Sequence, residues 1–198
     1  MIINSNQKKI ILASASIARK QILEQVGFMV VVKPTDAFEE NSVDHPGENV
    51  RSLAQQKLAI FKKKTPDWKN LLVPVITADT IVLCQESILG KPEGKNSAKQ
   101  MLKRLSGTVH SVYTGYSILF PGIRKSVSGY ESSEVTFFSL SSNDIEDYLE
   151  TNEWMRAAGA YRVQGVGLRL ISSIKGSYFT IAGLPIHQIS GILRKQGF

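Results

Sequence analysis

The chain has 198 residues, 42% of them hydrophobic and 21% charged, with a formal net charge of +7. These values describe a folded domain with a sizeable core and exclude a disordered chain. No run of about 18 apolar residues is available to cross a membrane, and the lone Cys84 excludes an intramolecular disulfide.

A single cysteine fits a reducing compartment, and the apolar stretch Ile10 to Ala13 is too short for a signal segment, so the expected location is the cytoplasm. The positive charge invites an anionic partner: a nucleotide, a nucleic acid or a membrane surface. The cluster Lys62-Lys63-Lys64 reads as a complement to a helix C-terminal dipole.

No repeat or low-complexity tract divides the chain, which reads as one domain over 1–198. A short strand is predicted from Lys9 to Ala13, then a helix from Ile17 to Val26 stopped by Gly27. Phe28 to Lys33 reads as a second strand and Thr35 to His45 as a polar, acidic loop. Pro46 opens a helix reaching Lys63. Leu72 to Leu83 has strand character interrupted at Ala78-Asp79-Thr80, and Gly90-Lys91-Pro92 is a loop. Asn96 is expected to cap a helix ending near Leu105. Val109 to Phe120 and Lys125 to Phe138 form a hairpin around Pro121-Gly122. Ser142 or Asn143 caps a helix to Thr151, a glycine-rich segment follows, and a strand is predicted near Leu168 to Ile174. The last helix spans Pro185 to Lys195. Crossovers and hairpins together predict a mixed α/β fold.

Charges on faces that should be buried carry the most information. In the helix after Pro46 the apolar stripe is Val50, Leu53, Ala54, Leu58 and Phe61, and Lys57 lies on it. Arg19 lies on the stripe of Ile22, Leu23 and Val26 in the first helix, and Asp79 interrupts an apolar strand. Each alone can be a rim charge or a strand end. Together, two cations and an anion suit a cleft that holds a metal and an anionic ligand. On this reading exchanging either Lys57 or Arg19 for methionine weakens catalysis while keeping or raising stability, since it removes a poorly paired buried charge. Ser14-Ala15-Ser16 between strand and helix offers hydroxyls and helix N-terminal amides to phosphate. Gly90-Lys91-Pro92 sets a lysine on a tight loop, and Glu39 and Glu40 end a loop that can reach over the cleft. His45, His110 and His187 lack metal-ligand spacing and read as structural.

The segments ILASASIARKQIL (11–23), FEENSV (38–43), ENVRSLAQQKLA (48–59), ITADTIV (76–82) and LGKP (89–92) stand in a telling order. After them come AKQMLKRLSGTVHSVYTGYSI (98–118), EVTFFSL (134–140), AAGAYRVQGVG (157–167) and IKGSYFTIAGLPI (174–186). In these segments the chain resembles the Maf family of nucleoside triphosphate pyrophosphatases over nearly its whole length. The resemblance implies an elongated mixed sheet flanked by helices, with two lobes around a cleft. It implies hydrolysis of a nucleoside triphosphate to monophosphate and pyrophosphate with a divalent cation, magnesium or manganese. Asp79 is implied as the catalytic and metal-site residue, with Glu40 assisting at the metal. Ser14, Arg19, Lys57, Lys91 and Gln164 are implied as nucleotide contacts. A homodimer is also implied, and neither a membrane nor a nucleic acid is an expected partner.

The chain departs from the family pattern at Ala18, where an arginine is usual, and at Arg162, where glycine is common. Gln164 matches the branch acting on dTTP and UTP, whereas the 7-methyl-GTP branch usually has glutamate there. An amide, with a donor and an acceptor, suits a pyrimidine edge. Two alternatives stay open: a modified-purine pyrophosphatase, and a nucleic-acid-binding or septum-regulating protein without turnover. No GxxxxGK[ST] or GxGxxG is present, which argues against a kinase, a GTPase or a dinucleotide enzyme.

Overall fold

The structure is a computed structural model that describes residues 8–35 and 43–198. Glu39 and Glu40 lie outside these residues. The described strands are β1 (Lys9–Leu12), β2 (Met29–Val32), β3 (Val75–Cys84), β4 (Ser87–Leu89), β5 (Val109–Phe120), β6 (Lys125–Phe137) and β7 (Ile171–Lys175). The helices are α1 (Ile17–Gln25), α2 (Pro46–Lys64), α3 (Lys95–Leu105), α4 (Ser142–Glu150), α5 (Tyr178–Ile181) and α6 (Ile186–Lys195). All seven strands join one mixed sheet in the order β2-β1-β3-β5-β6-β7, with β4 paired to β3.

β1 runs parallel to β2 and β3, and every pairing from β3 through β7 is antiparallel. The parallel β1–α1–β2 crossover needs a helix between its strands, and Ser16 caps it by accepting from the amide of Arg19 at 3.3 Å. Residues of β1 alternate between two cores. Ile10 and Leu12 join the larger one, while Ile11 joins the smaller one with Leu58, Phe61, Val75 and Leu119.

Helix α2 packs on β3, β5 and β6. Its buried stripe is the expected one, Lys57 included. Its approach requires Gly115, where a Cβ would stand 2.1 Å from the Val50 carbonyl oxygen. Gly115 is the β5 partner of Asp79 in the β3–β5 ladder, so the close approach falls at the row that carries the carboxylate.

Several boundaries differ from expectation. β3 runs unbroken through Ala78-Asp79-Thr80, with the Thr77 and Thr80 hydroxyls bonded to α2 and β5 and Asp79 paired with Lys57. Helix α3 begins at Lys95 after Gly94, not at an Asn96 cap. The α4 cap is Ser141, in a reciprocal capping box with Asp144 that satisfies two otherwise orphaned amides. Val26, expected on the α1 stripe, is the exposed C-cap. Gly165–Leu170 is a 3-10 helix, and the strand predicted near Leu168 begins only at Ile171.

One edge of β3 is covered at both ends and bare in the middle. β1 pairs with Val75 and Ile76, β4 pairs with Val82 to Cys84, and β5 occupies the opposite edge. Across residues 77–81 no strand among the described residues pairs with that edge. A cavity opens there.

Candidate active site

A cavity of about 860 Å³ lies at this gap, lined by residues of the β1–α1 turn, α2, β3, the Lys91 loop, residues 156–164 and residues 181–183. Ser14, Arg19, Lys57, Asp79, Lys91 and Gln164, all singled out in the sequence, are among its lining residues.

Arg19 is held at all three guanidinium nitrogens. Its Nε donates to the Gly183 carbonyl at 2.8 Å, Nη1 to Ser14 Oγ at 3.0 Å and Nη2 to Thr80 Oγ1 at 3.0 Å. The N-terminal turn of α1 presents Ser16, Ile17 and Ala18 to the same space. Backbone amides at a helix start and a fixed guanidinium make a binding place for an anion.

Lys57 Nζ donates to Asp79 Oδ1. The two residues are only 8% and 4% exposed, so each offsets much of the other's desolvation. β3 places Asp79 on the α2 side of the sheet, where Thr77 Oγ1 also donates to the Ala54 carbonyl at 2.7 Å.

Lys91 sits on an exposed loop tied to the far wall, where the amide of Gly159 donates to the Gly90 carbonyl at 3.1 Å. Gly159 has a φ of +68°, and a side chain there would crowd Val82 at 3.1 Å. Beyond it Tyr161, Arg162, Val163 and Gln164 complete the wall. Glu153 steadies the next turn by accepting from the amides of Val166 and Gly167 at 3.1 and 3.2 Å.

The wall also contains residues the sequence reading assigned no role. Arg156 lines the cavity from a left-handed bend at φ +60°; nothing in Met155-Arg156-Ala157 signals that bend. Arg162, noted in the sequence only as a departure, folds back so that Nη2 donates to the Met155 carbonyl at 2.9 Å. Thr80 was read as part of an interruption and instead receives Arg19. Among the described lining residues, Asp79 is the single carboxylate beside Arg19, Lys57, Lys91, Arg156 and Arg162. The described lining residues therefore carry a net positive charge.

Behind the wall, Tyr161 Oη and His110 Nε2 are 2.8 Å apart, and His110, Tyr161 and Phe137 stack edge to face. Burial lowers His110 to about 4 and raises the Tyr161 phenol well above its ordinary value. His110 is a neutral packing residue, as its sequence context suggested.

The donor set also bears on a divalent cation. No cluster of three His, Cys, Asp or Glu exists among the described residues, so these alone do not form a closed protein cage. One buried carboxylate with hydroxyls nearby suits magnesium, which keeps its waters and shares phosphate oxygens with the protein. The residues present fit that mode.

The described residues thus form an α/β protein whose mixed sheet carries a cavity with several cationic residues beside a buried aspartate. The comparisons with known proteins make the class specific. Residues 9–196 match the family described as Maf-like protein, and the chain belongs to that family. It is 43% identical over 191 residues to the dTTP/UTP pyrophosphatase of Clostridioides difficile (strain 630), covering 94% of each chain. It is 38% identical to the dTTP/UTP pyrophosphatase of Thermoanaerobacter sp. (strain X514), covering 95% of this chain and 96% of that one. The protein of that name from Pyrococcus abyssi (strain GE5 / Orsay) is 39% identical, with 96% of each covered.

Proposed function

We propose that this chain is a nucleoside triphosphate pyrophosphatase that releases pyrophosphate and prefers UTP and dTTP. The observation that carries the reading is Asp79, the one buried carboxylate among the described residues, set among cations in a cavity of a Maf-family chain. The names of its full-length relatives support the substrate class.

The triphosphate docks against the α1 N-terminus, Arg19, Lys57 and Lys91, where charge-assisted hydrogen bonds contribute roughly 1.5–3 kcal/mol each. Water attacks the α-phosphorus. A new oxygen–phosphorus bond forms, the bond to the bridging oxygen before the β-phosphorus breaks, and Asp79 takes the proton of the water. Arg19 and Lys91 stabilise the charge that grows on departing pyrophosphate. Asp79, with Glu40 from outside the described residues, would hold the divalent cation, magnesium or manganese. A bound cation supplies charge screening and polarisation of the phosphoryl group. Gln164 reads the base, its amide donating to a carbonyl oxygen and accepting from a ring N–H, the pair that uracil and thymine present.

No described helix is long and apolar enough to cross a membrane. The test is a pyrophosphate-release screen over UTP, dTTP, ATP, GTP, CTP and 7-methyl-GTP with magnesium and with manganese. Release from UTP and dTTP above the purines supports the reading. Release from no triphosphate, with tight and salt-sensitive oligonucleotide binding, overturns it in favour of the nucleic-acid alternative.

A further inference from the structure

Thr80 on β3, Thr114 on β5 and Glu131 on β6 occupy one row across three adjacent strands. Thr80 is in the cavity and Glu131 is two strands away, outside its lining. A continuous hydrogen-bond path joins them. Arg19 Nη2 reaches Thr80 Oγ1 at 3.0 Å, Thr80 Oγ1 lies 2.9 Å from Thr114 Oγ1, and Thr114 Oγ1 donates to the Thr180 carbonyl at 2.7 Å. Thr180 Oγ1 then donates to Glu131 Oε2. The other oxygen, Glu131 Oε1, faces His187 Nε2 at 2.8 Å and accepts from Gln188 Nε2 at 3.2 Å.

The segment held this way supplies the cavity wall at Ile181, Ala182 and Gly183, and Gly183 is where Arg19 Nε ends. It has little stiffness of its own. α5 is four residues long, lacks a side-chain cap and is followed by Gly183 at φ +95°. A helix this short cannot hold its geometry alone. Two anchors on β6 fix it instead: Ser133 Oγ, bonded to the Ser177 amide and carbonyl at 2.9 and 3.1 Å, and the Glu131 carboxylate. Glu131 also ties it to the start of α6 through His187 and Gln188, so the turn between α5 and α6 is clamped from outside the cavity.

We propose that Glu131 is a positioning residue for the phosphate-binding arginine. By clamping Thr180 and the turn after it, Glu131 sets the Gly183 carbonyl and the Thr80–Thr114 pair that orient Arg19. The inference rests on the triphosphate reading of the cavity.

A double-mutant cycle tests it, pairing Glu131→Gln with Arg19→Lys, which keeps the charge and loses the fork. The cycle is read on kcat/KM for UTP and on Kd for the non-hydrolysable α,β-imido analogue of UTP. If Glu131 acts through Arg19, Glu131→Gln costs activity and affinity with Arg19 present and little once Arg19 is lysine. Coupling between the two losses of more than about threefold is the expected result. Equal losses in both backgrounds, or no loss with Arg19 present, overturn it, because a general structural role weakens both alike. Should Glu131→Gln not fold, Thr180→Val removes the same bond at constant volume and enters the cycle in its place. Wild type that binds the analogue without releasing pyrophosphate sinks the proposed function and leaves the Kd cycle to decide this one. Wild type that neither turns over UTP nor binds the analogue sinks both.

Discussion

Lys57 on α2 and Asp79 on β3 meet as a buried ion pair in the wall of the cavity. The sequence marks Lys57 as a charge on an apolar stripe, from which Lys57→Met is expected to keep or raise stability. The pairing reverses that expectation. Removing Lys57 alone strips the Asp79 carboxylate of a cation in a place shielded from water, a loss on the order of 3–5 kcal/mol. The double variant Lys57→Met/Asp79→Asn is expected to lose less than the sum of the single variants. Urea denaturation of the four proteins measures both.

Asp79→Asn tests the chemistry in a chain that still folds, although Lys57 loses its counter-charge and some stability goes with it. The amide fits the same space and keeps an acceptor for Lys57, but it cannot take a proton from water. Pyrophosphate release is expected to fall by at least about a hundredfold while the circular dichroism spectrum stays that of wild type. Turnover near the wild-type rate in a folded Asp79→Asn protein removes Asp79 from the chemistry.

His110 gives the fold an acid-sensitive element. Its burial holds the ring at about 4, against 6.5 in the unfolded chain. Between these values the unfolded state binds more protons than the native state, so stability falls as pH falls. The contribution is complete above about pH 6.5, declines through the window and is lost below about pH 4, amounting to about 3 kcal/mol. His110→Gln, neutral throughout, is expected to flatten the dependence of Tm on pH between those limits. A slope unchanged from wild type assigns the acid sensitivity to other groups.

The proposed function assigns base selectivity to Gln164, half-buried in the cavity wall. A site built to hydrogen-bond a particular edge rejects bases that leave its polar groups unpaired. UTP and dTTP are expected to exceed ATP and GTP in kcat/KM, and Gln164→Ala to narrow that ratio more than it lowers the UTP value. Comparison of kcat/KM for the four nucleotides in both proteins decides it, and a purine preference in wild type overturns the assignment.

What the sequence made legible was conflict between residue and pattern. Lys57, Arg19 and Asp79 stood out because each broke an apolar periodicity, and all three line the cavity. The long strands β5 and β6 and the helix opened by Pro46 were equally plain. The parts that escaped notice are those whose conformation comes from distant partners. β4 follows Gln85-Glu86, a turn with φ of +47° and +58° but no glycine or asparagine to announce it. α5 is four residues pinned by β6. Arg156 reaches the cavity from a bend made by its surroundings, and no local preference encodes it.

The bond from Arg19 to the Gly183 carbonyl joins residues 164 positions apart in the chain. The proposed anion site is thus assembled from segments around residues 19 and 183, and no fragment lacking either segment contains it. A nucleotide that binds there recognises only the finished molecule, so its free energy of binding adds wholly to the native state, by RT ln(1 + [L]/Kd). At about a hundred times Kd this is worth about 2.7 kcal/mol. On the proposed function, saturation with a bound triphosphate is therefore expected to slow proteolysis of the folded protein.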